Sequence, residues 1–255
     1  MKSRERLQTT VSQRLMMSSP SGLWEEAQKL SEDIPIYVCR KVTPGAVRID
    51  GVLDDLVWQD IPPVGDFILS DGSGQATRKT VARMCWDDVY LYVAFQAEDP
   101  DIWGTYFERD QPIYEEEVVE AFIDPDSDLR RYYEFQQSPN GTLFDAIIYN
   151  PTGDRRDMVA DTSWTCVGWL AAVKVDGTLD NREDVDNGWT AEWAIPFHSI
   201  PTAPHIPPKN GDVWRLNLYR IDRTPTPEFS CWSPTLETPP NFHVPTRFGK
   251  IVFRE

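Results

Sequence analysis

Histidine and cysteine are scarce in this 255-residue chain, which has three of the first and four of the second. Cys39, Cys85, Cys166 and Cys231 stand far apart and make no C-x-x-C pair, so neither a zinc site nor a redox dithiol is indicated. Buried free thiols are the expectation. His198, His205 and His243 lack the spacing of a metal triad. Basic residues are also few: 25 Lys and Arg against 41 Asp and Glu give a formal net charge of −16. Such a surface repels phosphate backbones and anionic lipid heads, which excludes nucleic acid and membrane as expected partners. No apolar run approaches the roughly 18 residues of a spanning helix. Near the N-terminus, Arg4, Arg6, Gln13 and Arg14 interrupt any apolar block of the signal-peptide kind, so the cytoplasm is the default expectation. Internal repeats and low-complexity tracts are missing too.

What is present is β-sheet patterning. Short runs rich in Val, Ile, Tyr, Phe and Trp alternate with Pro, Gly, Asp and Asn clusters, and a hydrophobic content of 40% supports a core. Strands are expected at residues 79–86, 89–97, 118–124, 132–138, 142–149, 169–175, 189–195, 213–221 and 248–253. Asp87-Asp88 marks a tight hairpin between the first two. Helix is confined to short pieces at 54–59 and 197–200, and the 21 prolines suit long loops, notably 201–209 and 224–245. Residues 1–33 differ: Ser21 to Leu30 reads as a short capped helix in an otherwise polar extension. The expected architecture is an all-β antiparallel sandwich over residues 34–255, preceded by that extension.

Strand alternation then separates core from candidate site. Val119, Ala121 and Ile123 share one face of their strand, and Val118, Glu120 and Phe122 the other. Tyr133 and Phe135 oppose Tyr132, Glu134, Gln136 and Ser138, while Trp214, Leu216 and Leu218 oppose Arg215, Asn217 and Tyr219. Aligned polar faces would form a hydrogen-bonding platform. The alternative is a solvated outer face in which Glu120 pairs with Arg215. Tyr114 and Phe242, each near one of these strands, would add two aromatic faces. Aromatic rings with a carboxylate between them suit a carbohydrate, whose rings have C–H-rich faces and a rim of hydroxyls.

Five ordered motifs make the chain resemble the family 9 carbohydrate-binding modules and their DOMON-like relatives. They are Ile49-Asp50-Gly51 with Asp54 and Trp58; Trp86-Asp87 with Tyr90, Leu91, Tyr92 and Val93; Glu117 to Asp124; Trp232-Ser233; and Phe248-Gly249. Together they cover about residues 45 to 255. The resemblance implies a sandwich that binds a small sugar or a glycan terminus between two aromatic rings without cleaving it, and it suits a secreted protein. By motif position the rings fall on Tyr114 and Phe242, and a carboxylate that hydrogen-bonds sugar hydroxyls falls on Glu120. Gln136 stands where the family has arginine, Ser138 where it has asparagine, and Tyr219 where it has glutamine.

No cofactor is required by these motifs, although the resemblance includes members with bound calcium. Two acid-rich loops, Asp124 to Asp128 and Asp180 to Asp186, offer hard oxygen ligands, but without the spacing of an EF-hand. Glu115, Glu116, Glu117 and Glu120 would serve a glycosidase only if two of them flanked a substrate at a defined separation. A haem-binding electron-transfer domain would need Met84 and a histidine as an axial pair. A third alternative is an interaction module that has lost the sugar site.

Overall fold

The structure is a computed structural model that describes residues 34–255. The helix expected at Ser21 to Leu30 lies outside the described residues. Thirteen strands follow one another: β1 (Ile36–Lys41), β2 (Ile68–Leu69), β3 (Thr80–Trp86), β4 (Tyr90–Glu98), β5 (Val118–Asp124), β6 (Arg131–Gln137), β7 (Leu143–Tyr149), β8 (Val159–Asp161), β9 (Leu170–Asp176), β10 (Gly188–Pro196), β11 (Val213–Asp222), β12 (Glu228–Cys231) and β13 (Gly249–Arg254). Among the described residues a short helix, α1 (Leu56–Asp60), precedes β2, and 3₁₀ turns include one at Phe197–Ser199. All nine expected strands form, with no end displaced by more than one residue. Of the four that periodicity missed, β2, β8 and β12 are two to four residues long, which gives alternation little length to show itself, whereas β1 has six residues and carries the apolar Ile36 and Val38 on its exposed face, which hides its alternation.

The strands order as β8-β7-β6-β5-β11-β13-β1-β3-β4-β10-β9, with β12 beside β11 and β2 beside β12. Pairing is antiparallel except at β1, which runs parallel to both β13 and β3. The expected antiparallel sandwich therefore holds with that one exception. The sheet curls so that β3, β4 and β10 pack over β5, β6 and β11. The core between them contains Met84, Trp86, Phe95, Trp189 and Trp193 from one layer and Ala121, Phe135, Trp214 and Leu218 from the other. A polar tie crosses it, since the Trp193 indole N–H donates to Gln137 Oε1 at 2.5 Å.

Two of the motifs have clear mechanical roles. Glu192 on β10 is fully buried and accepts N–H bonds from Asp50 and Gly51 at 3.0 and 3.1 Å and from the Trp58 indole at 2.8 Å. Gly51 has φ of +80°, and a Cβ there would lie 2.6 Å from the Val173 carbonyl carbon, so the turn requires glycine. At the other end of the chain, a Cβ on Gly249 would fall 2.4 Å from the Trp232 ring, which packs against the bare backbone.

Trp86 is at 0% exposure, donates its indole N–H to the Cys39 carbonyl at 3.1 Å and meets Phe253 edge-on at 5.4 Å. Trp86→Ala is expected to cost about 3 to 5 kcal/mol, measured by urea denaturation.

Candidate functional site

β5 is buried along its whole length on both faces. Val119, Ala121 and Ile123 enter the main core, as alternation predicts, while Val118 and Phe122 belong to a second cluster with Ile113, Tyr132, Phe144, Tyr219, Phe242 and Phe248. Glu120 lies on this second face at 1% exposure. The register sets it beside Gln136 on β6 and Tyr219 on β11, with Glu134 beside Phe122. Arg215 instead stands opposite Asp124 and donates to the Phe248 carbonyl at 3.2 Å, so the Glu120–Arg215 pairing does not form.

A cavity of about 330 Å³ opens over this face. Four of the six expected site residues, Tyr114, Glu120, Gln136 and Phe242, line it, together with Phe122, Glu134, Phe144, Arg155, Met158, Arg223, Phe229 and His243. Tyrosine and phenylalanine make its walls, whereas tryptophans 86, 189, 193 and 214 are buried in the main core. Glu134 was legible: alternation already put it on the Glu120 face, but no motif drew attention to it.

Two expected site residues are absent from the lining. Ser138 is consumed by a turn, its hydroxyl donating to Asn140 Oδ1 at 2.5 Å. Asn140 in turn donates to the carbonyls of Gly104 and Tyr106 at 2.9 and 2.8 Å, pinning the segment that leads to Tyr114. Tyr219 stands behind the wall: its ring stacks on Phe242 at 4.2 Å and 15°, and its hydroxyl donates to the Phe242 carbonyl at 2.9 Å. Phe242 is therefore only 8% exposed, against 42% for Tyr114, and is not the free-standing ring a symmetrical clamp would require. Next to it, His243 stacks on Phe122 at 5.0 Å and its Nδ1 lies 2.9 Å from the Tyr132 hydroxyl.

The floor is electrostatically unusual. Burial pushes the Glu134 carboxyl up to about 8, against the pull of its hydrogen bond from Gln136 and the charge of Arg155. Burial and then the neighbouring Glu134 hold Glu120 well above the ordinary carboxylate range, with Arg223 acting the other way. Such a pair titrates as a unit and retains protons near neutral pH. Burial holds His243 neutral, down to about 3.

The remaining acids of the Glu115–Glu117 run disperse instead of flanking one substrate. Glu115 accepts from the exposed Tyr106 hydroxyl, and Glu116 accepts from the Thr105 N–H at 2.7 Å. Glu117 joins a buried network in which Arg220 bridges Asp99 and Asp222 at 3.1 and 2.9 Å. Burial, then Asp99 and Asp222, push Glu117 up to about 9. Met84 lies in the main core, His243 in the second cluster, His198 on the surface and His205 against Asp212 at 2.9 Å. None of the three is placed to share a haem with Met84.

One acid-rich loop converges. Carboxylate oxygens of Asp124, Asp126 and Asp128 all lie within 4.8 Å of one another. Asp124 is buried, its Oδ2 accepts the Leu129 N–H at 3.0 Å, and no donor reaches its Oδ1. In the other loop, Asp186 accepts N–H bonds from Thr178 and Ile102 at 2.7 and 2.9 Å, and Asp180 accepts one from Gly104 at 3.0 Å, so these acids organise turns.

The sequence pattern of carbohydrate-binding family 9 matches residues 64–253. The chain belongs to that family. Among curated relatives, an Arthroderma benhamiae protein named "Extracellular protein" is 27% identical over 186 residues, covering 69% of this chain and 78% of that one. The endo-1,4-beta-xylanase A of Thermoanaerobacterium saccharolyticum is 35% identical over 176 residues, covering 68% of this chain but only 12% of the xylanase. A Bacteroides uniformis crystal structure matches with a TM-score of 0.70 at 18% identity, covering 87% of this chain and 100% of that one. A family 9 module from Caldicellulosiruptor kristjanssonii, solved with cellotriose, matches with a TM-score of 0.57 at 16% identity, covering 86% and 93%. These structures establish the family 9 fold. The cytoplasmic default finds no support in relatives of this kind. Among the described residues, no helix is long and apolar enough to cross a membrane.

Two stability predictions follow from the geometry of this family 9 face. Phe242→Ala should cost about 3 kcal/mol, as for other buried phenylalanines, whereas Tyr114→Ala should leave the urea midpoint nearly unchanged. Glu117 has a folded value above its unfolded one, so its contribution is complete below about pH 4.5 and is lost as pH rises through about 9. Thermal melts from pH 5 to 9 should therefore decline, and less steeply in Glu117→Gln.

Proposed function

We propose that this family 9 protein binds carbohydrate without cleaving it, holding a small sugar or a glycan terminus in the cavity over β5, β6 and β11. One observation carries the reading: a cavity of about 330 Å³ that combines aromatic walls with a floor of three buried acceptor side chains, Glu120, Glu134 and Gln136. Its volume is at the lower end of small-molecule sites, roughly 300 to 1,000 Å³. The aromatic walls take the C–H-rich faces of a sugar ring, and the floor takes its hydroxyl protons. A small polar ligand in such a site recovers modest free energy beyond its ordering and desolvation costs. The solved relatives with cellotriose and with glucose support the same class of ligand. The extracellular name of the Arthroderma relative supports action outside the cell.

Calcium is proposed at the Asp124–Asp126–Asp128 loop. Three carboxylates are a donor set of the hard kind that calcium selects, and the unpartnered Asp124 Oδ1 is a ready ligand atom. Burial first, then Asp126 and Asp128, raise Asp124 to about 7, and a bound divalent cation would favour its ionised form.

Isothermal titration calorimetry with glucose and cello-oligosaccharides tests the sugar reading, alongside assays for turnover on chromogenic glycosides. Binding without turnover is expected. Tyr114→Ala should weaken that binding about fivefold to tenfold, corresponding to roughly 1 kcal/mol for one aromatic contact. Wild-type affinity in this variant would remove Tyr114 from the site. Millimolar calcium chloride should raise the melting temperature of the wild type and leave that of Asp124→Asn unmoved.

A further inference from the structure

The floor of the cavity is short of positive charge. Glu120, Glu134 and Gln136 are each at least nine-tenths buried, and all three present acceptor oxygens. One oxygen of Glu134 takes an N–H of Gln136 at 2.5 Å, but Gln136 Oε1 has no partner. Among the described residues, no donor hydrogen-bonds the Glu120 carboxylate, and neither glutamate forms an ion pair. The two arginines of the lining do not fill this gap. Arg155 is exposed at the mouth, and Arg223 donates from Nη2 to the Tyr114 carbonyl at 3.0 Å, with its guanidinium 5.0 Å from the Phe229 ring centroid. Burial outweighs the field of both and leaves each glutamate raised.

We propose that the cavity selects a cationic sugar, an amino sugar with a free ammonium group, whose charge lies on the Glu120–Glu134–Gln136 floor. The inference rests on the cavity being the sugar site and narrows its ligand class. An ammonium supplies three N–H donors to the acceptor oxygens of Glu120, Glu134 and Gln136, and the rings of Tyr114, Phe122 and Phe144 line the same cavity, where a cation over an aromatic face is attracted. A neutral sugar can donate hydroxyl hydrogens to the same oxygens but brings no charge, so it must bind over a floor that keeps its protons. The ammonium instead exchanges with a floor proton: the ligand enters as R–NH₃⁺, one glutamic acid gives H⁺ to the buffer, and the charge of the occupied site is unchanged. N-acetylation removes both the charge and two of the donors.

Calorimetry at pH 7 in phosphate and in Tris, with glucosamine, glucose, N-acetylglucosamine and glucuronate, tests this. Glucosamine is expected to bind at least tenfold more tightly than glucose, and N-acetylglucosamine should lose that gain. Heats for glucosamine should differ between the buffers by up to one proton released per site, and heats for glucose should not. In Glu134→Gln the glucosamine-to-glucose affinity ratio should fall towards one. Glucose or glucuronate binding more tightly than glucosamine would overturn the inference and leave the sugar site standing. A glucosamine preference that survives in Glu134→Gln would assign it to the overall acidity of the protein and also overturn the inference. No measurable binding of any of the four, or of the cello-oligosaccharides, would remove the sugar site itself.

Discussion

Burial of β5 and its neighbours on both faces is the constraint on which the molecule turns. An antiparallel sheet ordinarily gives one face to the core and one to water. Here the second face is covered by the segment before Tyr114, the loop through Phe242 and His243, and the turn carrying Arg155. Polar residues that alternation assigns to an outer face are thereby enclosed. Enclosure raises the pKa of the carboxylates, leaves Gln136 Oε1 unmatched and turns a stretch of sheet into the floor of a cavity.

The covering segments are held by specific bonds more than by their own secondary structure. Asn140 fixes the approach to Tyr114, while the hydroxyls of Tyr219 and Tyr132 reach the Phe242 carbonyl and the His243 ring. The asymmetry of the aromatic walls has the same origin. Phe242 is packed against Tyr219 and belongs to the second cluster, whereas Tyr114 projects from a 3₁₀ turn, Ile113–Glu115, whose neighbouring Ile113 anchors it.

The fold was legible in the sequence because its signals are local. Nine strands could be read from alternation and turn residues, and the ordered motifs have physical causes in the Glu192 bridge to Asp50, Gly51 and Trp58 and in the Gly249–Trp232 contact. The parallel pairings of β1 were not legible, because its partners lie at the far end of the chain and across a long loop. The site was half legible. Motif position named Glu120, Gln136, Tyr114 and Phe242, which all line the cavity. It could not show that a turn consumes Ser138 or that Tyr219 stands behind Phe242, since both depend on how distant loops fold over the sheet. Glu134 was passed over because a charged residue on an outer face ordinarily means solvent.

The division of aromatic types has an optical consequence. The cavity is walled by tyrosine and phenylalanine, and none of the nine tryptophans among the described residues lines it. Indole emission from the main core would therefore follow unfolding of the sandwich and stay largely silent to an occupant of the cavity. Tyr114 lines that space, and Tyr132 stacks on Phe122, which also lines it. Tyrosine absorbance would then report occupancy, so the two spectral channels separate integrity of the fold from filling of the site.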